Sequence, residues 1–408
     1  MKKLQTRDHI LLVSVLMVTQ TIGWGTTFSQ IGILAAPISA DIGVARSVIF
    51  TGATVMYLCA SVSAPMAGRL ADRLGGLKLL APGSLALAAG LLILSRCSGM
   101  MSYFLAWALF GFVLHIGLVT AAYTGLTQVM GAAAARGIGT LTLATGLCSS
   151  IFWPLSEFNL NFVTWRELIQ IYALVTLLLC APLHLWLAAR YGHFRAGDAD
   201  NDIPEAPAHI RPDKMRAGFN LQVAIASCGS IVTVGFGIAV IDIFTSLGAG
   251  REQAVYAGSL IGIAFVVSRG LATLWADRIT PLQLSQFVYL MLPLSLTPLL
   301  ICAASSTKLP TWLAVVVAIG FGLPAGLVGV LRSTFPLYLF GSAAYGSIFG
   351  RQARVTELAS AVSPAGLSWI IALSVPGALV ALVAVGGIAC LGTSGMSRLT
   401  VKEIPENT

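Results

Sequence analysis

The sequence predicts an all-α integral membrane protein whose twelve transmembrane helices form two pseudo-symmetric six-helix bundles. Hydrophobic residues make up 57% and charged residues 10% of the 408 positions, which leaves too little polar surface to coat a water-soluble globule. The apolar residues recur in runs of 18 to 28, each long enough to cross about 30 Å of hydrocarbon as a helix. One long polar stretch separates six runs from the other six.

Hydropathy, interrupted by glycine, proline and charged residues, predicts the individual spans. They cover residues 10–37, 47–67, 79–95, 102–128, 137–158, 167–189, 219–247, 253–275, 284–304, 311–335, 346–371 and 377–395. The first resembles a signal peptide in outline, but its apolar stretch is too long for one, so we expect it to remain in the mature protein. The seven cysteines show no CxxC pair and no ligand spacing, so neither a metal site nor a cofactor is predicted.

The distribution of positive charge predicts the orientation. Of the 24 lysines and arginines, fifteen fall in loops on the side of the amino terminus and five on the opposite side. Positive residues accumulate in cytoplasmic loops, so we expect both termini to be cytoplasmic and the protein to reside in the plasma (inner) membrane. This bias accounts for the net charge of +8, and nothing in the pattern calls for nucleic acid as a partner.

The polar stretch predicts the domain organisation. Residues 191–218 combine three prolines with charges of both signs and are expected to form a cytoplasmic linker. It would join an amino-terminal bundle, residues 1–190, to a carboxy-terminal bundle, residues 219–408.

The two predicted bundles share a faint internal repeat. Ala71-Asp72-Arg73 recurs as Ala276-Asp277-Arg278 after 205 residues, and Pro154 recurs as Pro364 after 210 residues. Parallel six-helix repeats are typical of secondary transporters that bind their cargo between the repeats.

The loop between the second and third spans resembles the signature loop of the major facilitator superfamily. It reads Gly68-Arg69-Leu70-Ala71-Asp72-Arg73-Leu74-Gly75 and departs from the family pattern only afterwards, at Gly76 and Leu77. The resemblance implies the fold of that superfamily and a gating role for Gly68 and Asp72, because a carboxylate here can lie near a helix amino terminus. Arg73 and Arg136 are its candidate partners, and Asp277 with Arg278 would repeat the arrangement.

A narrower resemblance, to the monocarboxylate-carrier and oxalate-formate-antiporter branch, extends over most of the chain. Its pieces include Arg46-Ser47, Arg136-Gly137 and Trp165-Arg166, and Arg269 followed by Asp277-Arg278. Carriers of this branch place a substrate-binding arginine at the corresponding point of their eighth helix, which implies that Arg269 binds a carboxylate.

The chemistry of Arg269 supports the same role independently. An arginine within a transmembrane helix costs at least about 2.5 kcal/mol at the bilayer centre, so it must face a partner or a wet cavity. Its planar fork suits bidentate recognition of a carboxylate. A fixed ion pair with Asp242 or Glu357, or an arginine extended towards the cytoplasm, is the alternative.

Three further ionisable residues are candidates for proton coupling. Glu357 and Arg354 are three residues apart on one predicted helix and would either neutralise each other or let Glu357 accept a proton. Asp242 has the same two interpretations. His115, in the fourth span, could share a proton with the cargo or simply bond a backbone carbonyl.

Polar residues at helical spacing predict which faces line a cavity. Gln30 ends one such stripe in the first span, Thr145 and Ser149 lie on another in the fifth, and Tyr123 could share a face with His115. Polar stripes also occur where membrane helices pack against each other. Each residue is therefore a candidate for substrate contact or for helix packing.

These features together predict a secondary active transporter of a small organic anion, plausibly a monocarboxylate, working by alternating access with proton coupling or exchange. The expected partners are an anionic small molecule, protons and the lipid bilayer. A proton-driven exporter of a drug-like or other amphipathic molecule is the alternative. An enzyme is not expected, because the sequence lacks GxSxG, HExxH and phosphate-loop motifs.

Overall fold

The computed structural model describes residues 6–195, 206–274, 278–305 and 307–400. Within those ranges the chain is helical apart from turns and one isolated bridge. The helices are α1 Thr6–Thr26, α2 Ile31–Ile42, α3 Arg46–Leu74, α4 Gly76–Ser95, α5 Met100–Gly117, α6 Val119–Met130, α7 Ala134–Gly146, α8 Cys148–Asn159, α9 Trp165–Val175, α10 Ala181–Tyr191, α11 Met215–Ser246, α12 Arg251–Leu274, α13 Pro281–Leu294, α14 Thr297–Ala304, α15 Thr311–Phe340, α16 Tyr345–Leu373 and α17 Val375–Met396.

These helices confirm the predicted all-α membrane fold. In the described part of the chain, eleven helical segments are long and apolar enough to cross a membrane. One of them, Met100–Asn159, has 60 residues and is long enough for two crossings. The chain reverses within it at Gly131, which has φ 52° and ψ −120° between α6 and α7. The predicted fourth and fifth spans are the two arms of this segment.

The first predicted span is not one continuous helix. α1 ends at Thr26, a short 3-10 turn covers Phe28–Gln30, and α2 continues to Ile42. The hydroxyls of Thr26 and Thr27 donate to the carbonyls of Ile22 and Gly23, 2.8 and 2.5 Å away. Hydroxyls that bond back to the preceding turn offer the backbone an alternative to the helix, and hydropathy alone does not register this competition.

The chain divides into two compact units. The first comprises Met1–Glu205 and Ser342–Ala361, and the second comprises Ala206–Gly341 and Val362–Thr408. The first part of α16 therefore packs with the helices of the amino-terminal half, although it follows α15 in sequence. This assignment places Glu357 in the first unit and Arg269 in the second.

The second unit also includes residues from the polar stretch that the sequence predicts as a linker. The amide of Ile210 donates to the carbonyl of Leu339 over 3.0 Å, and the amide of Arg211 donates to Leu399 over 3.0 Å. The His209 ring stacks on Tyr338 with ring centroids 4.1 Å apart. Residues 209–211 are thus bonded to the end of α15 and to the segment after α17.

Candidate functional site

The turn between α3 and α4 depends on two adjacent glycines. Gly75 has φ 102°, in the left-handed region that favours glycine. A Cβ on Gly76 would collide with the carbonyl oxygen of Ala121 and the backbone nitrogen of Gly125. The glycines therefore allow a sharp turn that lies directly against α6, and this turn sets the position of the last residues of α3.

Asp72, in the last turn of α3, binds the amino terminus of α16. Its Oδ1 accepts a hydrogen bond from the Gly346 amide over 2.8 Å, and its Oδ2 accepts one from the Ser347 amide over 2.7 Å. The first amides of a helix have no acceptor within the helix, and the helix dipole favours a negative charge at this end. The carboxylate therefore caps α16 from a different helix, with both oxygens engaged.

The close approach of α3 and α16 requires glycines on both helices. A Cβ on Gly68 would collide with the carbonyl oxygen of Gly346. A Cβ on Gly350 would collide with the carbonyl oxygen of Ala64. Backbone atoms cannot move aside as a flexible side chain can, so these positions exclude larger residues. The small residues that mark close helix packing in membranes here bring Asp72 within reach of the α16 amides.

Two long polar side chains hold the turn that carries Asp72, and sequence reasoning missed both. Gln128 on α6 donates through Nε2 to the Ala71 carbonyl over 3.1 Å and accepts through Oε1 from the Gly76 amide over 2.9 Å. Arg195 donates through Nη1 to the carbonyl of Asp72 itself, over 2.8 Å. Neither residue belongs to a recognisable motif, and their partners lie far away in sequence.

The other predicted gating residues are placed differently. The side chains of Arg73 and Arg136 are exposed, and the polar partners that the structure shows for the Asp72 carboxylate are the two α16 amides. Arg278 is exposed just before α13, and Asp277 lies outside the described residues. The repeated gating pair of the second half therefore stays a prediction.

Arg269 lies where α12 and α15 cross closely in the second unit. A Cβ on Gly322 would collide with Ala264. A Cβ on Gly326, one turn further along α15, would collide with the hydroxyl of Ser268. The two glycines let the helices meet backbone to backbone beside Arg269.

The guanidinium of Arg269 is oriented by the α15 backbone. Its Nε donates to the Gly326 carbonyl over 2.9 Å, and a Cβ on Gly329 would lie 3.3 Å from Nη2. Its central carbon lies 5.9 Å from the centre of the Phe265 ring. The Nε bond fixes the plane of the guanidinium fork. Gly329 provides the space that this orientation needs.

The acidic candidates differ in burial. Glu357 is 2% exposed on α16 in the first unit. Arg354, one turn earlier, is exposed, so the two side chains do not share one environment as their spacing predicts. Asp242, near the end of α11, is exposed as well. Of the two acids, Glu357 is therefore the one whose side chain is withdrawn from solvent.

His115 and Tyr123 lie in the first unit on either side of a helix break. The break is at Leu118, between α5 and α6. His115 is fully buried, with Nδ1 2.8 Å from the Thr120 hydroxyl across the break. Tyr123 is half-buried and meets the Phe349 ring of α16 edge to face, with centroids 5.7 Å apart. Tyr123 is thus brought beside the helix that carries Glu357.

Of the polar residues predicted to line a cavity in the first and fifth spans, Gln30 contacts a residue of the other span and Thr145 bonds to its own helix. Gln30 is buried, and its Oε1 lies 2.7 Å from the hydroxyl of Ser156, which is itself 2.7 Å from the Tyr172 hydroxyl. The half-buried Thr145 donates to the Leu141 carbonyl of its own helix over 3.1 Å. Ser149 is in α8, but its side chain lies outside the description. Gln30 therefore joins the helix break after α1 to α8 and α9.

Sequence reasoning also missed a buried histidine that joins three helices. His184 on α10 is 1% exposed. Its Nδ1 lies 2.7 Å from the Ser84 hydroxyl of α4, and its Nε2 lies 2.9 Å from the Thr19 hydroxyl of α1. The two ring nitrogens thus meet hydroxyls on two different helices, and the ring joins α10 to both. A single histidine in an apolar run gave no signal of these bonds.

A charged cluster fixes the opposite end of the first unit from the Asp72 turn. Arg166, at the start of α9, forms an ion pair of 2.6 Å with Asp41 and donates to the Ser95 carbonyl over 2.9 Å. The Trp165 indole donates to the same Asp41 oxygen over 3.2 Å. Burial raises the pKa of the Cys97 thiol beside this cluster. The cluster ties the ends of α2 and α4 to α9.

Three transporters of known structure share this fold. FucP in the outward conformation, described elsewhere as the E. coli fucose:proton symporter, superposes with a TM-score of 0.70 at 13% identity, covering 95% of this chain and 99% of FucP. The human organic anion transporter MFSD10 gives 0.68 at 14%, with 95% and 99% covered. The proton:xylose symporter XylE gives 0.64 at 14%, with 97% and 96% covered. Identities this low show the fold alone.

The sequence itself gives the family. No curated protein matches the chain significantly. The family model described as the Major Facilitator Superfamily matches residues 14–364, which include the Asp72 turn, Arg269 and Glu357. The chain is a multi-pass membrane transporter rather than an enzyme, and it belongs to the Major Facilitator Superfamily.

Proposed function

We propose that this transporter carries a small organic anion of the monocarboxylate class by alternating access, with Arg269 as the residue that binds the carboxylate. The observation that carries the proposal is the guanidinium of Arg269 within the membrane-spanning α12, held in one plane by the Gly326 carbonyl. A cation within a membrane-spanning helix must face a partner or a wet cavity, and a bidentate carboxylate matches the geometry of this guanidinium. MFSD10, which shares the fold, is described as an organic anion transporter.

Glu357 is the proposed proton carrier. It is almost fully buried in a membrane-spanning helix, and ionisable residues in such positions form the proton relays of transporters. Proton coupling is the energy source named for both FucP and XylE, which share the fold. Exchange of one anion for another remains the alternative coupling mode.

The Asp72 contact is the proposed gate. Two charge-assisted hydrogen bonds to the first turn of α16 stabilise the state in which α3 and α16 meet, and alternating access requires that such a contact can break. We place this contact, with both termini and the connecting segment 191–218, on the cytoplasmic side. The basic loops of the amino-terminal side support that orientation.

Uptake by proteoliposomes tests the role of Arg269. Arg269→Ala should reduce kcat/KM for lactate, pyruvate or formate by about 100-fold, because a bidentate bond between charged groups contributes about 3 kcal/mol. Arg269→Lys should recover only part of the loss, since an ammonium lacks the planar fork. Arg354→Ala removes an exposed arginine and serves as the matched control.

The outcomes separate the two functions that the sequence allows. Carboxylate uptake that survives Arg269→Ala at normal expression would overturn the binding role. A second pair of results would favour the exporter. Arg269→Ala would retain proton-driven extrusion of an amphipathic dye, and Glu357→Gln would abolish that extrusion.

A further inference from the structure

An apolar cleft of about 620 Å³ lies between α12, α13 and α15 in the second unit, and the proposed mechanism does not use it. Its volume is within the range of small-molecule binding sites. The wall is built from Leu271, Leu284, Phe287, Met291, Leu323 and Leu327, among others. Phe287 is 58% exposed, so the cleft has an open side.

The wall offers almost no hydrogen-bonding capacity. Among the lining residues that the structure describes, Ser268 and Ser295 carry the hydroxyls. Each donates to a carbonyl of its own helix, Ser268 to Phe265 over 3.0 Å and Ser295 to Leu292 over 2.7 Å. With both donor hydrogens engaged, these side chains offer an occupant no free hydrogen-bond donor. The chemistry selects a hydrocarbon chain.

The surroundings of the cleft indicate which kind of hydrocarbon chain it would bind. All three helices belong to segments apolar enough to span a membrane, so the surrounding solvent is lipid. At one end the lining residue Ile279 is preceded by the exposed cation Arg278. Basic residues at the membrane surface attract anionic lipid headgroups, and an acyl chain attached to such a headgroup would enter the cleft past Ile279.

The cleft also shares a wall with the arginine site. Leu323, Pro324 and Leu327 line it, and the Gly326 carbonyl within the same turn of α15 accepts the Nε hydrogen bond of Arg269. An occupant that packs against this turn therefore contacts the backbone that orients the guanidinium.

We propose that the cleft binds one acyl chain of an anionic phospholipid, with its headgroup at Arg278, and that the bound lipid tunes carboxylate binding through the 323–327 turn of α15. The second part rests on the function proposed for Arg269, whereas the first does not. Van der Waals packing against the cleft wall holds the acyl chain, and Arg278 provides the preference for an anionic headgroup.

Gly320→Leu blocks the cleft with little strain. Gly320 lines it, and a Cβ there would have only the Ser295 Cβ within 4 Å, at 3.9 Å, so a leucine side chain can extend into the cavity. Gly262→Leu is the matched control, because a Cβ at this α12 position meets nothing within 4 Å and the residue does not line the cleft. Arg278→Gln tests the headgroup separately.

Native mass spectrometry of the full chain, released from nanodiscs containing phosphatidylglycerol and phosphatidylcholine, measures the bound lipid directly. We expect one retained phosphatidylglycerol in the parent and in Gly262→Leu, at least a tenfold loss in Gly320→Leu, and a loss of headgroup preference in Arg278→Gln. Equal retention in Gly320→Leu and Gly262→Leu would overturn the site. Retention of both lipids in equal amounts by the parent would overturn the headgroup assignment.

Carboxylate affinity in the same nanodiscs tests the coupling. We expect at least a threefold change in Kd between parent and Gly320→Leu, and none between parent and Gly262→Leu. Lipid loss without a change in carboxylate Kd would overturn the coupling and leave the lipid site in place. Absence of carboxylate binding in every protein, with lipid retention as expected, would instead overturn the proposed function alone.

Discussion

Asp72→Asn should uncouple α16 from α3 without unfolding either helix. The aspartate accepts hydrogen bonds from the Gly346 and Ser347 amides at 2.8 and 2.7 Å. Asparagine keeps one acceptor oxygen, but its NH2 group would face the second N–H, and it lacks the negative charge that the helix dipole favours. A hydrogen bond to a charged group contributes about 1.5 to 3 kcal/mol, and a charge at a helix terminus about 0.3 to 1 kcal/mol. Because Asp72 is only half-buried, we expect a loss of about 2 kcal/mol, which corresponds to roughly 30-fold in the opening equilibrium.

Hydrogen exchange measured by mass spectrometry with residue resolution reads this equilibrium at the two amides. Exchange at Gly346 and Ser347 should accelerate about 30-fold, since its rate follows the population of the open state. The Ile348 amide donates to the Ala344 carbonyl over 3.1 Å and serves as an internal reference that should change much less. Asp213→Asn alters an exposed aspartate and is the matched control.

Two results would refute the reasoning. Unchanged protection of Gly346 and Ser347 in a folded Asp72→Asn protein would mean that the carboxylate does not stabilise the helix end. An equal acceleration at Ile348 would mean that the whole helix loosens, rather than its first turn.

Two further substitutions test other contacts of the first unit. Gly68→Val should abolish the hydrogen-exchange protection of the Gly346 and Ser347 amides and most of the transport, because its Cβ would collide with the carbonyl oxygen of Gly346. Gly262→Val should preserve both, because a Cβ there meets nothing within 4 Å. His184→Phe should reduce the free energy of unfolding by about 1 to 3 kcal/mol, since it leaves buried hydroxyls without their partner. The measurement is the thermal unfolding temperature in detergent, which should fall. The exposed His193→Phe is its control, and equal melting of the two variants would show that the bonds of His184 contribute nothing.

The sequence predicted the parts of the molecule that are contiguous in the chain. Apolar runs marked the spans because a helix in lipid must satisfy its own backbone and present apolar side chains. The Asp72 turn was recognisable because its two glycines and its carboxylate lie within a few residues of each other. Asp72 was accordingly expected beside a helix amino terminus, and that of α16 supplies its partners.

The parts that were not predicted depend on contacts between distant residues. Gln128 and Arg195 hold the Asp72 turn from positions more than 50 residues further along the chain. The spacing of Arg354 and Glu357 predicted a shared face, but packing of α16 leaves one exposed and buries the other. The hydropathy of the first span did not reveal the break after Thr26. Its hydroxyl competes for a backbone carbonyl, and this competition does not change the average hydropathy of the run.

The bonding of His184 also makes it a natural spectroscopic reporter. Its Nε2 faces the Thr19 hydroxyl and its Nδ1 faces the Ser84 hydroxyl, so a ring that keeps its proton on one nitrogen should give two well-separated nitrogen-15 resonances. The chain has five histidines, few enough for selective isotopic labelling to resolve this one. A step of the transport cycle that moves α1 away from α10 would lengthen the bond from His184 to Thr19, and one that moves α4 away would lengthen the bond to Ser84. The resonance pattern would then identify which helix moved, with no label added to the protein.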